Sequence, residues 1–216
     1  MLWIIIGLFT SYLIGSIPTA YIFGRFLKGI DIRQYGSGNV GATNALRVLG
    51  KKAGITVLLL DILKGFIAVY FISTFIFSKA PVLSREMLGI IFGVICICGH
   101  NWTVFLQFKG GKGMATTLGV LIGLAVNIPG LKIVLSLSIL VWILVFIFSR
   151  IVSLASVISA VALPVFMVIF KQSVFLIAVS MLLSAFVIIR HKANIKRIIE
   201  GKEAKISFKK SPVKIR

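Results

Sequence analysis

The chain has 216 residues, of which 59% are hydrophobic and 13% charged, and its formal net charge is +19. Soluble domains carry about 25% charged residues, so a mean hydropathy of +1.09 points to a polytopic membrane protein. These values exclude a separate soluble domain, and basic residues flush with the apolar segments, with no recognition module, speak against nucleic-acid binding.

Seven apolar segments follow one another over 3–27, 53–77, 86–108, 114–130, 131–148, 151–170 and 172–190, ahead of a basic tail over 191–216. A spanning helix needs about 20 apolar residues. The expected fold is therefore all-α: one polytopic domain, 1–216, built as a bundle of seven transmembrane helices. Met1–Ile6 has no positive leader region and is expected to open the first span rather than a cleaved signal. Gly7, Ser11 and Gly15 form a small-residue face there, suited to close helix packing.

The first connection holds Gly36-Ser-Gly-Asn-Val-Gly-Ala-Thr-Asn44, with Arg47 behind it. Glycines let backbone N–H groups converge on an anion. Ser37, Asn39, Thr43 and Asn44 add neutral hydrogen-bonding groups, and Arg47 adds a guanidinium fork for phosphate. The plainer reading is a turn with caps for the next helix. The segment is not a P-loop, because Ala42 stands where that motif has Lys.

Asp61 and Lys64, three apart in the second segment, are expected to form a buried ion pair. Cys96 and Cys98 lack metal-site spacing and read as packing residues. His100 falls near the end of the third segment, where a structural hydrogen bond is expected. A second glycine loop follows, with Lys109, Gly110, Gly111, Lys112 and Gly113 before Met114-Ala-Thr-Thr. A helix starting there would add its dipole to the attraction for an anion. The plainer reading is a basic turn.

The fourth segment is short for a simple span and is expected to be tilted, bent or partly re-entrant. Asn127-Ile-Pro-Gly130 marks its end, and Ser149-Arg150 separates the fifth from the sixth. Ser153, Ser156 and Ser159 make a second small-residue face. His191 and Asn194 share a face if the last helix continues.

With the N-terminus outside, nine basic residues up to Arg150 and ten from Arg190 onward lie inside, nineteen of the 24. Lys79, Arg85, Lys132 and Lys171 lie outside, and Lys64 lies within a span. The positive-inside rule favours N-out and C-in, which puts both glycine loops, Arg150 and the tail in the cytoplasm.

In this order, Gly36–Arg47, Asp61–Gly65, Gly99–Thr116, Ser149-Arg150, His191–Asn194 and Gly201-Lys-Glu203 resemble the acyl-phosphate:glycerol-3-phosphate acyltransferase family of bacterial membranes. The resemblance implies a multi-pass protein of the inner membrane with its site on the cytoplasmic side. It implies transfer of a fatty acyl group from acyl phosphate to sn-glycerol 3-phosphate, giving lysophosphatidate and phosphate, the first step of phospholipid synthesis. By resemblance, Ser37, Arg47, His191 and Asn194 form the catalytic set, and Gly110–Gly113 the glycerol-phosphate loop. Asn39, Thr43, Asn44, Lys109, Lys112, Ser149 and Arg150 would contact substrate phosphate. Asp61, Lys64, His100 and Glu203 would support the site. No cofactor or metal is expected. The expected partners are the two substrates and membrane lipid, with the chain working as a monomer.

A transporter or channel for an organic phosphate or other anion would also explain the cations. It would need polar residues along a whole transverse path, and internal repeats are frequent in such proteins. The sequence shows few of the former in the outer half and none of the latter. The general base stays open between His191 and the dianionic phosphate of the acceptor, because only five acids occur and none neighbours a histidine in sequence.

Overall fold

The structure is a computed structural model and describes residues 1–206. The part of the basic tail over 207–216 lies outside the described residues. The sequence reading treats the chain as one domain; packing resolves two compact units, Met1–Asn127 and a second beginning at Ile128.

In the first unit, the first apolar segment is two helices, α1 (Leu2–Ser16) and α2 (Thr19–Lys28). Pro18 lacks an N–H and crowds the preceding turn, which breaks the helix at Ile17-Pro18. Helix α2 ends at Gly29, whose φ of 66° is left-handed. Helix α3 (Ala42–Leu49) follows the first glycine loop, and α4 (Lys51–Ile67) runs through a π-helical turn, Ala68–Ile72, into α5 (Ser73–Lys79). Helix α6 (Arg85–Asn101) is capped by Ser84 Oγ, which accepts from the Met87 N–H at 3.1 Å. Helix α7 (Met114–Ala125) closes the unit.

Small residues set the packing. Gly7, Ser11 and Gly15 are buried on α1, as their spacing implies, and α1 lies on α6. A Cβ at Gly15 would overlap the Cys96 carbonyl, and one at Gly99 the Tyr12 carbonyl. Helix α7 lies on α4 in the same way. A Cβ at Gly65 would strike the Thr116 carbonyl, and one at Gly119 the Ile62 carbonyl. Backbones this close gain dispersion without large side chains.

The second unit holds α8 (Leu131–Ser149), α9 (Val152–Ile169), α10 (Val174–Arg190) and α11 (Lys192–Ile199). Ser156 and Ser159 of α9 face α8. Trp142 Nε1 donates to Ser156 Oγ at 3.3 Å, and Ser159 Oγ donates to the Ser138 carbonyl at 2.9 Å.

Among the described residues, five helical stretches are long and apolar enough to cross a membrane, or six if the bent pair α10–α11 is one span. The protein is thus an all-helical membrane protein with several apolar helices. The fourth expected segment is the exception. Helix α7 has 12 residues, about 18 Å at 1.5 Å per residue, against a hydrocarbon core of about 30 Å. Gly113 starts it late, the turn after Ala125 ends it early, and most of its residues are buried. It packs on α4 and α6 within the first unit.

Gly119→Ala is expected to destabilise the first unit by about 1–3 kcal/mol, because the Ile62 carbonyl cannot yield without moving α4. Thermal unfolding in detergent checks this. An unchanged midpoint would mean that the α4–α7 contact tolerates a methyl group.

Candidate active site

The break in the first segment leaves carbonyls at the end of α1 without helical partners. Both are satisfied by side chains. Thr103 Oγ1 donates to the Ser16 carbonyl at 2.5 Å, and Lys64 Nζ donates to the Ile17 carbonyl at 3.0 Å. Lys64 is in turn 2.8 Å from Asp61 Oδ1, which also accepts from Thr19 Oγ1 at 2.6 Å. Asp61 is 1% and Lys64 5% exposed, so the expected ion pair is present and buried. A buried pair persists only when its remaining valences are hydrogen-bonded. Thr19 and the freed carbonyl supply those bonds.

His100 Nδ1 lies 3.8 Å from the same Asp61 oxygen, beyond hydrogen-bond reach. An acid and a histidine that are distant in sequence thus become neighbours in space. On its other side the His100 ring lies against Gly111, where a Cβ would strike Nε2. Lys64, His100, Thr19, Thr103, Gly110, Gly111 and Val40 line one small cavity at the break. The two glycine loops meet here, since a Cβ on Gly111 would also come within 2.9 Å of the Val40 carbonyl.

Inside the second loop two glycines are hydrogen-bonded to the end of α6. Gly110 N–H donates to the Asn101 carbonyl at 3.2 Å and Gly111 N–H to the His100 carbonyl at 3.0 Å. They cap the end of α6, and only glycine fits so close to it. Both N–H groups are thus bonded to the helix end in the structure. Lys109 is exposed and Lys112 half-buried, on either side of the capped pair. Gly113 is left-handed at φ 78° and starts α7. Gln107 and Phe108 have φ of 54° and 61°, strain of the kind that collects at functional loops.

The first loop is held by Asn44, which is fully buried. Its Oδ1 accepts from the Ser37 N–H at 2.8 Å, and its Nδ2 donates to the carbonyls of Ile32 at 3.2 Å and Tyr35 at 3.1 Å. Both amide hydrogens are committed within the loop, so Asn44 shapes it. Ser37 is exposed, while Asn39, Thr43 and Arg47 are half-buried around it. Upstream, Asp31 caps a short turn, and the Arg33 guanidinium, with Nη2 at 2.6 Å, holds its carboxyl below the usual range.

The second unit gathers a separate cluster around Glu203. Its Oε1 accepts from Ser153 Oγ at 2.7 Å and from Asn194 Nδ2 at 2.5 Å, and its Oε2 accepts from Arg197 Nε at 2.6 Å. Burial pushes the Glu203 carboxyl up, but the bonds from Asn194, Ser153 and Arg197 outweigh it, so its pKa falls below the ordinary value. The last helix does not continue straight. It bends by 61° between α10 and α11, at His191. His191 Nδ1 is 2.7 Å from the Val187 carbonyl. A carbonyl only accepts, so Nδ1 carries hydrogen and, in the neutral ring, Nε2 is the acceptor nitrogen. Arg150, left-handed at φ 57°, accepts the Ile206 N–H on its carbonyl at 2.9 Å. Ser149 Oγ donates to the Val145 carbonyl at 2.6 Å and accepts from the Ile151 N–H at 3.1 Å, which caps the end of α8.

Sequence reasoning missed Thr19, Thr103, Ser153 and Arg197. Pro18 was a signal for the first, since a break in a span demands a polar neighbour. The others carried no local signal.

The family described as glycerol-3-phosphate acyltransferase matches residues 5–201. The chain belongs to it. The chain is 43% identical over 198 residues to the glycerol-3-phosphate acyltransferase of Fusobacterium nucleatum, covering 92% of this chain and 95% of that protein. It is 44% identical over 206 residues to that of Staphylococcus haemolyticus, covering 95% and 98%. Its fold is similar to a crystal structure of PlsY (YgiH), an integral membrane glycerol 3-phosphate acyltransferase, in its glycerol 3-phosphate form. The TM-score is 0.81 at 36% identity, covering 94% of this chain and 96% of that one. The lysophosphatidic acid form of the same enzyme gives 0.78.

Lys64→Met in this acyltransferase-family chain leaves Asp61 buried and unpaired, which is expected to cost about 3–5 kcal/mol of stability. Adding Asp61→Leu should recover part of that loss. A double variant as unstable as the sum of the singles would show that the two residues act independently. For Glu203, a folded pKa below the unfolded one gives stability that is complete above the ordinary carboxylate value of 4.5 and is lost as pH falls through the folded value. The stability gap between wild type and Glu203→Gln should therefore be level from neutral pH to about pH 5 and close at lower pH. A gap that widens on acidification would reverse the sign of the assignment.

Proposed function

We propose that the chain transfers a fatty acyl group from acyl phosphate to sn-glycerol 3-phosphate, releasing lysophosphatidate and phosphate. The observation that carries this reading is the meeting of two glycine loops at one small cavity lined by Lys64 and His100, in a chain similar over nearly its whole length to glycerol-3-phosphate acyltransferases. Its charge asymmetry supports an N-out, C-in arrangement of the seven apolar segments in the bacterial inner membrane, with the site facing the cytoplasm. The chain works as a monomer in this reading.

The acceptor hydroxyl attacks the acyl carbonyl carbon. The new ester C–O bond forms as the bond to the phosphate oxygen breaks, and phosphate leaves with that electron pair. An acyl phosphate already has a good leaving group, so the protein's task is positioning and charge stabilisation. Ser37, Asn39, Thr43 and Arg47 on the first loop, and Lys109 and Lys112 with the start of α7 on the second, supply donors and cations for phosphate. Arg150 adds a further cation. His191 and Asn194 orient the reacting groups, with the neutral His191 ring presenting an acceptor nitrogen. The hydroxyl proton goes to the acceptor's own phosphate, whose second pKa is about 6, directly or through water.

The expected donor profile is turnover with acyl phosphate and none with acyl-CoA or acyl carrier protein thioesters, read by phosphate release and product formation. His191→Gln keeps hydrogen bonding but takes no proton near neutral pH. It should retain measurable kcat, with the pH profile still following ionisation of the acceptor phosphate. Loss of all turnover, with folding and acceptor binding intact, would make His191 the general base. Equal use of thioesters would remove acyl phosphate as the defining donor.

A further inference from the structure

Helix α11 presents a face that, among the described residues of its own unit, nothing covers. Ile199 is 81% exposed, and the side chains of Lys196 and Lys202 are 79% and 73% exposed. The helix leaves the apolar α10 at 61°, as a segment lying along a bilayer surface does. From Lys192 to Lys205, five basic residues stand against only Glu200 and Glu203. Glu203 is committed to Asn194, Ser153 and Arg197. Glu200 is shared between Lys196 at 4.0 Å and Lys202 at 3.3 Å, exposed pairs that neutralise little. A free small anion would answer the charge and leave Ile199 in water. An apolar side chain ringed by lysines fits a surface that offers both headgroup charge and acyl chains.

We propose that α11 binds the anionic phospholipid headgroups of the bilayer and that this seat fixes the position of Asn194. Asn194 lies on the buried side of the same two-turn helix and is tied to Glu203, so α11 cannot shift on the surface without moving it. Anionic lipid then becomes an activator read by the site itself. Each basic residue at an anionic surface contributes roughly a fivefold bias toward the bound position. The kinetic consequence rests on the acyltransferase reading; the lipid seat does not.

The test uses the full chain in nanodiscs of phosphatidylcholine alone or mixed with phosphatidylglycerol. A nitroxide on Ile199→Cys, with Cys96 and Cys98 replaced by Ala, reports membrane depth, and kcat is read at saturating substrates in the unlabelled chain. Depth and kcat should both rise with phosphatidylglycerol, kcat by roughly fivefold, and both gains should vanish in high salt. The variant Lys192→Gln/Lys196→Gln/Lys202→Gln should show neither response while keeping its phosphatidylcholine activity. A label equally deep in both lipids, or exposed in both, overturns the proposal. A depth change with flat kcat overturns the link to Asn194. A depth change with no turnover in any lipid upholds the seat and overturns the acyltransferase reading.

Discussion

One buried contact governs the first unit: the Lys64 ammonium, held between Asp61 Oδ1 at 2.8 Å and the Ile17 carbonyl at 3.0 Å. A break in an apolar helix frees backbone carbonyls from their helical partners, and inside an apolar bundle each costs several kcal/mol if left bare. Lys64 answers one of them, Thr103 the other, and Asp61 offsets the charge that this places in an apolar bundle. The break is useful because it turns α2 away from α1 and lets the first glycine loop return to the end of α6. Without the pair, Pro18 would be a defect. With it, Pro18 is a corner.

The glycines of the second loop act through shape more than through exposed amides. Gly110 and Gly111 spend their N–H groups on the end of α6 and lie against the backbone of His100 and Asn101. This docks the loop onto a rigid helix and sets Gly113 at the start of α7. In the first loop, Asn44 plays the equivalent part from a buried position. In the second unit, Glu203 gathers Ser153, Asn194 and Arg197 and thereby fixes the bend after α10. The first loop and the α10–α11 bend are thus each braced by a hydrogen-bonded polar side chain, Asn44 and Glu203.

Much of this was legible from residue order alone. Seven hydrophobic runs, two glycine loops and the Asp61–Lys64 spacing follow from hydropathy, φ freedom and helical period, and the structure has helices at each run. The length of α7 was less legible, because hydropathy marks burial in lipid and burial in protein alike. Hydrogen-bond direction was not legible at all. Asn44, Ser149, Gly110 and Gly111 have the chemistry of phosphate ligands, and in the structure their groups also close turns and helix ends. The choice between those uses is tertiary. Thr19 and His100 join Asp61 only once the first span is broken and α6 packs on α1.

The central claim is that a buried ion pair, distant in sequence from both loops, holds the loops in place. Amide hydrogen exchange at Gly110 and Gly111 measures this most directly, comparing wild type with Lys64→Met in the same detergent. The account expects both amides to lose protection in the variant while α8 and α9 keep theirs. Protection at Gly110 and Gly111 unchanged from wild type would contradict it.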